Sequence, residues 1–120
     1  MKKVLLSIFC FVALFFISAC EKSPEEQEFD GSKIYFFYQT TCPHCHTAAE
    51  YIKENHPDLK IVSRDIRLLG NRQLFNYAVK KYKIGATAGT PLICFDDKYI
   101  MGWSDEKAQE FEEYSKPYKK

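Results

Sequence analysis

Residues 33–46 read Lys-Ile-Tyr-Phe-Phe-Tyr-Gln-Thr-Thr-Cys-Pro-His-Cys-His, and this stretch decides the fold of the chain. The apolar run 33–38 is typical of a strand, and the residues after it are predicted to form a helix. Cys42 would then lie at the N-terminus of that helix, where unpaired amide N–H groups and the helix dipole stabilise a thiolate. A stabilised thiolate close to a second thiol, Cys45, is suited to dithiol–disulfide exchange.

The motif Cys-x-x-Cys-His also permits two other chemistries. It can attach a c-type haem, with His46 as one axial ligand and Met101 as the second. The apolar strand before the motif, the proline inside it and the predicted hairpin that carries Met101 argue against a haem. Zinc or copper can bind through Cys42, Cys45 and His46. The strand-before, helix-after setting favours thiol redox chemistry over both.

The first 19 residues are predicted to be a targeting signal rather than part of the fold. Two lysines precede an apolar stretch, residues 4–17, that is rather short for a spanning helix. The stretch leads into Ile17-Ser18-Ala19-Cys20, which resembles a bacterial lipobox, so we expect a lipoprotein anchored to a membrane through lipid on Cys20. A plain signal peptide and an uncleaved anchor helix are the alternatives. Either signal places the domain outside the cytoplasm, in the bacterial cell envelope and facing the periplasm if the cell is Gram-negative.

Composition limits the classes of partner. The chain has 17 basic and 16 acidic residues, and removal of Lys2 and Lys3 with the signal leaves 15 against 16, essentially neutral. Since no basic stripe is present, we expect no nucleic-acid partner. The remaining length suits one small domain. We expect a polar, acidic tether over residues 20–32 and a single domain over residues 33–120.

Strands and helices alternate along this domain in the order βαβαββα. The predicted strands are residues 33–38, 59–66, 91–95 and 98–101, and the first two helices are residues 43–55 and 71–83. Ala48, Ala49 and Ile52 are expected on the inner face of the first helix. Ser104 is a fitting N-cap for the last helix.

Three features together resemble the thioredoxin superfamily: the Cys-x-x-Cys motif after the first strand, the element order, and Gly89-Thr90-Pro91 before the hairpin. The resemblance covers about residues 33–115. It implies a thioredoxin-like α/β fold, with a four-stranded mixed sheet flanked by helices. It also implies that Cys42 is the exposed nucleophile and Cys45 the buried resolving thiol of a redox-active disulfide. In that family the proline corresponding to Pro91 is cis and faces the disulfide.

Within the superfamily, Cys-Pro-His-Cys resembles the DsbA-type periplasmic oxidases, although the chain is too short for their helical insertion. Its size and second half resemble glutaredoxins, whose Ile-Gly-Gly-x-Ser/Thr-Asp signature compares with residues 100–105. Ser104 and Asp105 match positions that receive the γ-glutamyl part of glutathione. Glutathione is therefore a candidate co-substrate, with Gln39 and Thr90 as further contacts. No resident cofactor or metal is expected.

Pro43 and His44 lie between the two cysteines. A protonated His44 would favour the Cys42 thiolate, and a lower thiol pKa makes the disulfide a better oxidant. Thioredoxins and DsbA have a buried acid six residues before the first cysteine, where this chain has Phe36. Cys94, on an apolar strand, is expected to be a buried core thiol.

These observations predict an extracytoplasmic thiol–disulfide oxidoreductase that exchanges disulfides with cysteine-containing envelope proteins. The direction of electron flow is open. One alternative is a reductase supplied by a membrane redox partner, for example in cytochrome maturation. Another is a metal-binding or metal-delivery module that uses the same thiols.

Overall fold

The structure is a computed structural model that describes residues 28–119. The predicted signal peptide, most of the predicted tether and Cys20 lie outside these residues, so the lipid anchor stays a prediction. Within the described part of the chain, none of the helices is long and apolar enough to cross a membrane.

The secondary structure follows the predicted order. The strands are β1 (Ile34–Tyr38), β2 (Ile61–Asp65), β3 (Leu92–Cys94) and β4 (Tyr99–Met101), and the helices are α1 (Pro43–Asn55), α2 (Leu69–Lys81) and α3 (Asp105–Tyr114). A short 3-10 helix, Lys116–Tyr118, follows α3. Each predicted bound of these strands and helices lies within two residues of the observed one. The largest differences are at β2, which is shorter, and at α2, which begins and ends earlier.

The four strands form one mixed sheet with the order β2-β1-β3-β4. β1 runs parallel to β2, with Tyr38 opposite Asp65 at the end of the pair. β1 is antiparallel to β3, and β3 is antiparallel to β4. The predicted four-stranded mixed sheet flanked by helices is confirmed.

Helices cover both faces of the sheet. Ile34 and Phe36 point to the face that packs against α1 and α3, while Tyr35 and Phe37 point to the face that packs against α2. All four side chains are buried, as expected for a central strand covered on both sides. On α1, Ala48 and Ile52 face the core as predicted. The prediction for Ala49 is wrong: it is exposed, because it lies about 100° further round the helix than Ala48.

Packing of the domain extends to residue 29. The Phe29 ring is buried and stacks on Tyr35, with 4.6 Å between ring centroids. The Tyr35 hydroxyl donates to the Glu28 carbonyl oxygen at 2.6 Å and accepts the Asp30 N–H at 2.9 Å. The residues directly before β1 are therefore held against the α2 face of the domain.

Candidate active site

Cys42 caps the N-terminus of α1. Its backbone is extended, with φ −95° and ψ 110°, and Pro43 follows in the first turn, where the N–H that proline lacks is not needed. The Cys42 Sγ accepts the Cys45 backbone N–H at 3.2 Å. This is the role that a serine or aspartate oxygen plays at other helix N-termini. The free backbone N–H groups at the start of the helix are therefore directed at the Cys42 sulfur.

These donors lower the pKa of the half-buried Cys42 thiol. Burial alone would raise the pKa, but hydrogen bonds from the side chain and N–H of Cys45 outweigh it, together with the Thr90 side chain and the His44 N–H. The net result is a Cys42 pKa below the ordinary thiol value. Cys42 is therefore the sulfur that is prepared to act as a thiolate.

Cys45 has the opposite environment. Its side chain is only 3% exposed. Burial, followed by its hydrogen bond to Cys42, raises the pKa of the Cys45 thiol to about 11, although the Gln39 N–H acts against this rise. At neutral pH Cys45 is a protonated thiol beside a sulfur that favours the thiolate. The two sulfurs therefore differ in both accessibility and proton affinity.

The loop before β3 lies against Cys42. The Thr90–Pro91 peptide bond is cis, as the resemblance implied. The Thr90 carbonyl oxygen is 3.7 Å from the Cys42 Sγ, which donates to it when protonated. The Pro91 carbonyl in turn accepts the Gly102 N–H at 2.9 Å. This chain of contacts brings Thr90, Pro91 and the turn at Gly102 to the cysteine pair.

Ser104 and Asp105 follow Gly102 along the chain, at the start of α3. The predicted N-cap is confirmed, because the Ser104 hydroxyl accepts the Lys107 N–H at 3.3 Å. Asp105 is exposed in the first turn. Contact of Ser104 and Asp105 with glutathione stays a prediction.

His44 and His46 are both exposed, but they relate to the site differently. The contact of His44 with Cys42 is through its backbone N–H rather than its ring. The His46 Nε2 lies 2.8 Å from the Thr40 carbonyl oxygen and donates to it. This bond fastens the segment that enters α1, and it was missed by the sequence analysis. The only feature of the sequence that pointed to this bond was a histidine directly after the Cys-x-x-Cys motif.

The side chains suggested for zinc or copper are not arranged as a metal site in the described part of the chain. Among residues 28–119, no group of three or more His, Cys, Asp and Glu side chains is arranged to hold a metal ion. The His46 ring is bonded to Thr40. Met101 lies in β4 and packs against the core on the α2 face.

Cys94 is confirmed as a buried core thiol. It is 0% exposed in β3, and burial raises its pKa well above the ordinary thiol value. Phe36 is also buried, in the core on the α1 and α3 face. Trp103 is a half-buried neighbour of Tyr51, with 5.4 Å between ring centroids. It therefore packs at the rim of that core.

A polar cluster away from the cysteines connects the C-terminal end of α1 to α3. Glu112 accepts hydrogen bonds from the Tyr51 hydroxyl and from the buried His56, whose Nε2 is 2.7 Å from the carboxylate oxygen. The Tyr51 bond is the main cause that lowers the pKa of Glu112, and the same bond raises the pKa of Tyr51 to about 12. The cluster lies at the opposite end of α1 from Cys42, so we assign it to structure.

Solved structures with this fold include two small proteins. A mutant of the thioredoxin-like protein BC3987 is 24% identical, with a TM-score of 0.52, over 68% of this chain and 96% of that chain. The glutaredoxin (grx-1) from Archaeoglobus fulgidus is 19% identical, with a TM-score of 0.53, over 76% of this chain and 95% of that chain. No family model and no curated protein matches the chain.

The chain therefore has the thioredoxin-like fold that its sequence predicted. The two neighbours are similar in size to the described domain, and one of them is a glutaredoxin. At these identities the likeness shows the fold alone, so function has to be argued from the site.

Proposed function

We propose that the protein is a thiol–disulfide oxidoreductase of the bacterial envelope that exchanges disulfides with cysteine-containing proteins. The observation that carries the proposal is the contrast between its two sulfurs. Cys42 accepts an N–H at the start of α1 and has a lowered pKa, while Cys45 is buried with a pKa of about 11. A nucleophile beside a protected second thiol is the arrangement that disulfide exchange needs.

The first step is attack by the Cys42 thiolate on a client disulfide. A bond forms between the Cys42 sulfur and one client sulfur, and the client S–S bond breaks. The other client sulfur leaves as a thiolate and takes a proton from water. Because Thr90 lies against Cys42, its loop would border the client chain in this mixed disulfide.

The second step releases the client. Cys45 loses its proton to water, since Phe36 occupies the position where related proteins have a buried acid. Its thiolate attacks the Cys42 sulfur, the mixed disulfide breaks, and the second client thiolate leaves. Two electrons have then moved from the pair to the client, which is reduced while Cys42 and Cys45 become a disulfide. The same steps in reverse oxidise a client dithiol.

The lowered pKa of Cys42 favours the oxidising direction, because it stabilises the reduced form of the pair. A membrane redox partner would then return the pair to its disulfide form. We also propose that lipid on Cys20 anchors the protein to the envelope membrane and that glutathione can serve as a co-substrate at Thr90, Ser104 and Asp105. None of the described contacts favours the metal-delivery alternative.

Redox titration of the full chain against glutathione buffers tests this function. We expect one two-electron couple that is absent in Cys42→Ser, with a potential above the value of about −270 mV that is typical of thioredoxin. A potential near or below that value would support the reductase alternative. A chain whose Cys42 and Cys45 form no disulfide in any buffer would refute the proposal.

A further inference from the structure

The segment that joins β2 to α2 exposes two adjacent leucines. Leu68 is 61% exposed and Leu69 is 75% exposed. Among residues 28–119 the other large apolar side chain that is exposed is Tyr99, at 37%, on the far edge strand β4. Two neighbouring leucines in water are unfavourable for an isolated domain, so the pair calls for a role.

The segment that carries the leucines is held in place by several polar contacts, and we call it the braced segment. Arg67 forms an ion pair with Asp65 at 3.0 Å. The side chains of Asn71 and Arg72 donate hydrogen bonds at 3.0 Å, Asn71 to the Asp65 carbonyl and Arg72 to the Ile66 carbonyl. The Leu68 N–H also donates to the Asp65 carbonyl. Because the segment is already ordered, little conformational entropy would be lost when a partner covers it.

This segment lies at the same end of the sheet as Cys42, where the parallel strands β1 and β2 finish. Tyr38 and Asp65 are partners at the ends of parallel strands, and the Ile66 N–H donates to the Tyr38 carbonyl at 3.0 Å. Cys42 comes four residues after Tyr38, and Leu68 three residues after Asp65. A polypeptide joined to Cys42 therefore has the leucines within reach, since six extended residues span about 20 Å.

We propose that Leu68 and Leu69 form a docking surface for an extended apolar segment of the client polypeptide, next to its reacting cysteine. The inference rests on the proposed function, because the mixed disulfide with Cys42 is what holds the client at this end of the sheet. Apolar side chains are the suitable occupants, since the neighbouring Arg67 is neutralised by Asp65 and attracts no acidic partner. The surface would thus select clients by the residues that flank their cysteines.

A membrane is the other conceivable occupant of two exposed leucines, and the charges around them argue against it. Arg64 pairs with Glu28 at 3.1 Å and Arg67 pairs with Asp65 at 3.0 Å. Both arginines are therefore already neutralised, whereas binding to anionic lipid relies on basic side chains whose charge is free.

The test uses two peptides of about eight residues, about 27 Å when extended. Each has one central cysteine carried as a mixed disulfide with thionitrobenzoate, flanked by Leu and Val in one peptide and by Ser and Thr in the other. The Cys42 thiolate attacks the peptide sulfur, and the thionitrobenzoate thiolate leaves and is measured by its absorbance. Hydroxyethyl disulfide serves as a substrate with no chain to dock.

We expect the full chain to react about tenfold faster with the apolar peptide, the gain from partly burying two leucines. The double variant Leu68→Ser, Leu69→Ser should lose this preference and keep its rate with hydroxyethyl disulfide, which also shows that it is folded. Tyr99→Ser, an exposed apolar residue on the opposite edge, is the matched control and should keep the preference.

Equal rates with the two peptides, or a preference that survives in the double variant, would overturn this inference and leave the proposed function intact. A full chain that reacts with neither peptide nor hydroxyethyl disulfide would instead refute the proposed function. Binding to vesicles of anionic phospholipid that is lost in the double variant, with peptide rates unchanged, would show a membrane surface and would also overturn the inference.

Discussion

The backbone N–H of Cys45 lies 3.2 Å from the Sγ of Cys42, so the second cysteine stabilises the first through its main chain as well as its thiol. A change of the Cys45 side chain removes the resolving thiol but leaves this N–H in place. The two contributions of Cys45 can therefore be separated by substitution.

We predict that Cys45→Ser keeps a lowered Cys42 pKa, because the N–H and a hydroxyl donor both remain. Cys45→Ala should raise the Cys42 pKa above that of Cys45→Ser, since only the N–H is left. The pH dependence of alkylation by iodoacetamide measures both values. Identical profiles for the two variants would mean that the Cys45 side chain contributes nothing to the thiolate.

The ring of His46 is predicted to stabilise the segment that enters α1 through its bond to Thr40. His46→Ala should cost about 0.5–1.5 kcal/mol of the free energy of unfolding, the usual worth of one hydrogen bond. His46→Gln should recover part of that loss, because its amide can donate to the same carbonyl. Urea unfolding of the reduced protein measures the difference, and equal losses in the two variants would contradict the assigned bond.

The ring of His44 is predicted to act through charge alone. Any substitution other than proline keeps the His44 N–H that contacts Cys42, so His44→Gln isolates the ring. We expect a reduction potential that is more negative by about 10–20 mV, which corresponds to the usual range for an exposed charge at a helix terminus. An unchanged potential would exclude this role.

The parts of the structure that local sequence determines could be predicted. A continuous apolar run defines β1, a proline and a capping sulfur start α1, and Ser104 caps α3, so each of these features is encoded within a few positions. The cis bond before Pro91 followed from a motif shared with a known family.

Features that depend on tertiary contacts could not be predicted in this way. His56 and Glu112 are far apart in the chain, and nothing in either local sequence indicates that they meet. Leu68 and Leu69 are apolar like core residues. Their side chains are exposed to water only because of the path that the braced segment takes in the folded domain. Phe29 was assigned to the tether because its neighbours are acidic, although it packs on Tyr35.

The bond between His56 and Glu112 is predicted to be important for stability. Glu112→Ala would leave the buried His56 without its partner, which costs about 1–3 kcal/mol. Glu113→Ala removes an exposed carboxylate from the next position and is the matched control, with an expected change within about 0.5 kcal/mol. Similar urea midpoints for the two variants would show that the cluster contributes little.

The raised pKa of Cys45 predicts how the stability of the reduced protein changes with pH. In the unfolded chain a thiol titrates near about 8.5, whereas folded Cys45 holds its proton up to a pKa of about 11. Between these values the folded state binds more protons, so the free energy of unfolding falls as pH rises, by at most about 1.4 kcal/mol per pH unit for this one group.

Cys94 is also buried with a raised pKa, so it adds a fall of the same sign and the two thiols must be separated. The difference in unfolding free energy between the reduced Cys42→Ala variant and the double variant Cys42→Ala, Cys45→Ala isolates the contribution of Cys45, because Cys42 is absent from both and burial still raises the Cys45 pKa. We expect the advantage of Cys42→Ala over the double variant to be constant below the pKa of a free thiol and to decline above it. Urea unfolding in a strong reductant across this range gives the result, and a difference that does not change with pH would mean that Cys45 is not held as a protonated thiol.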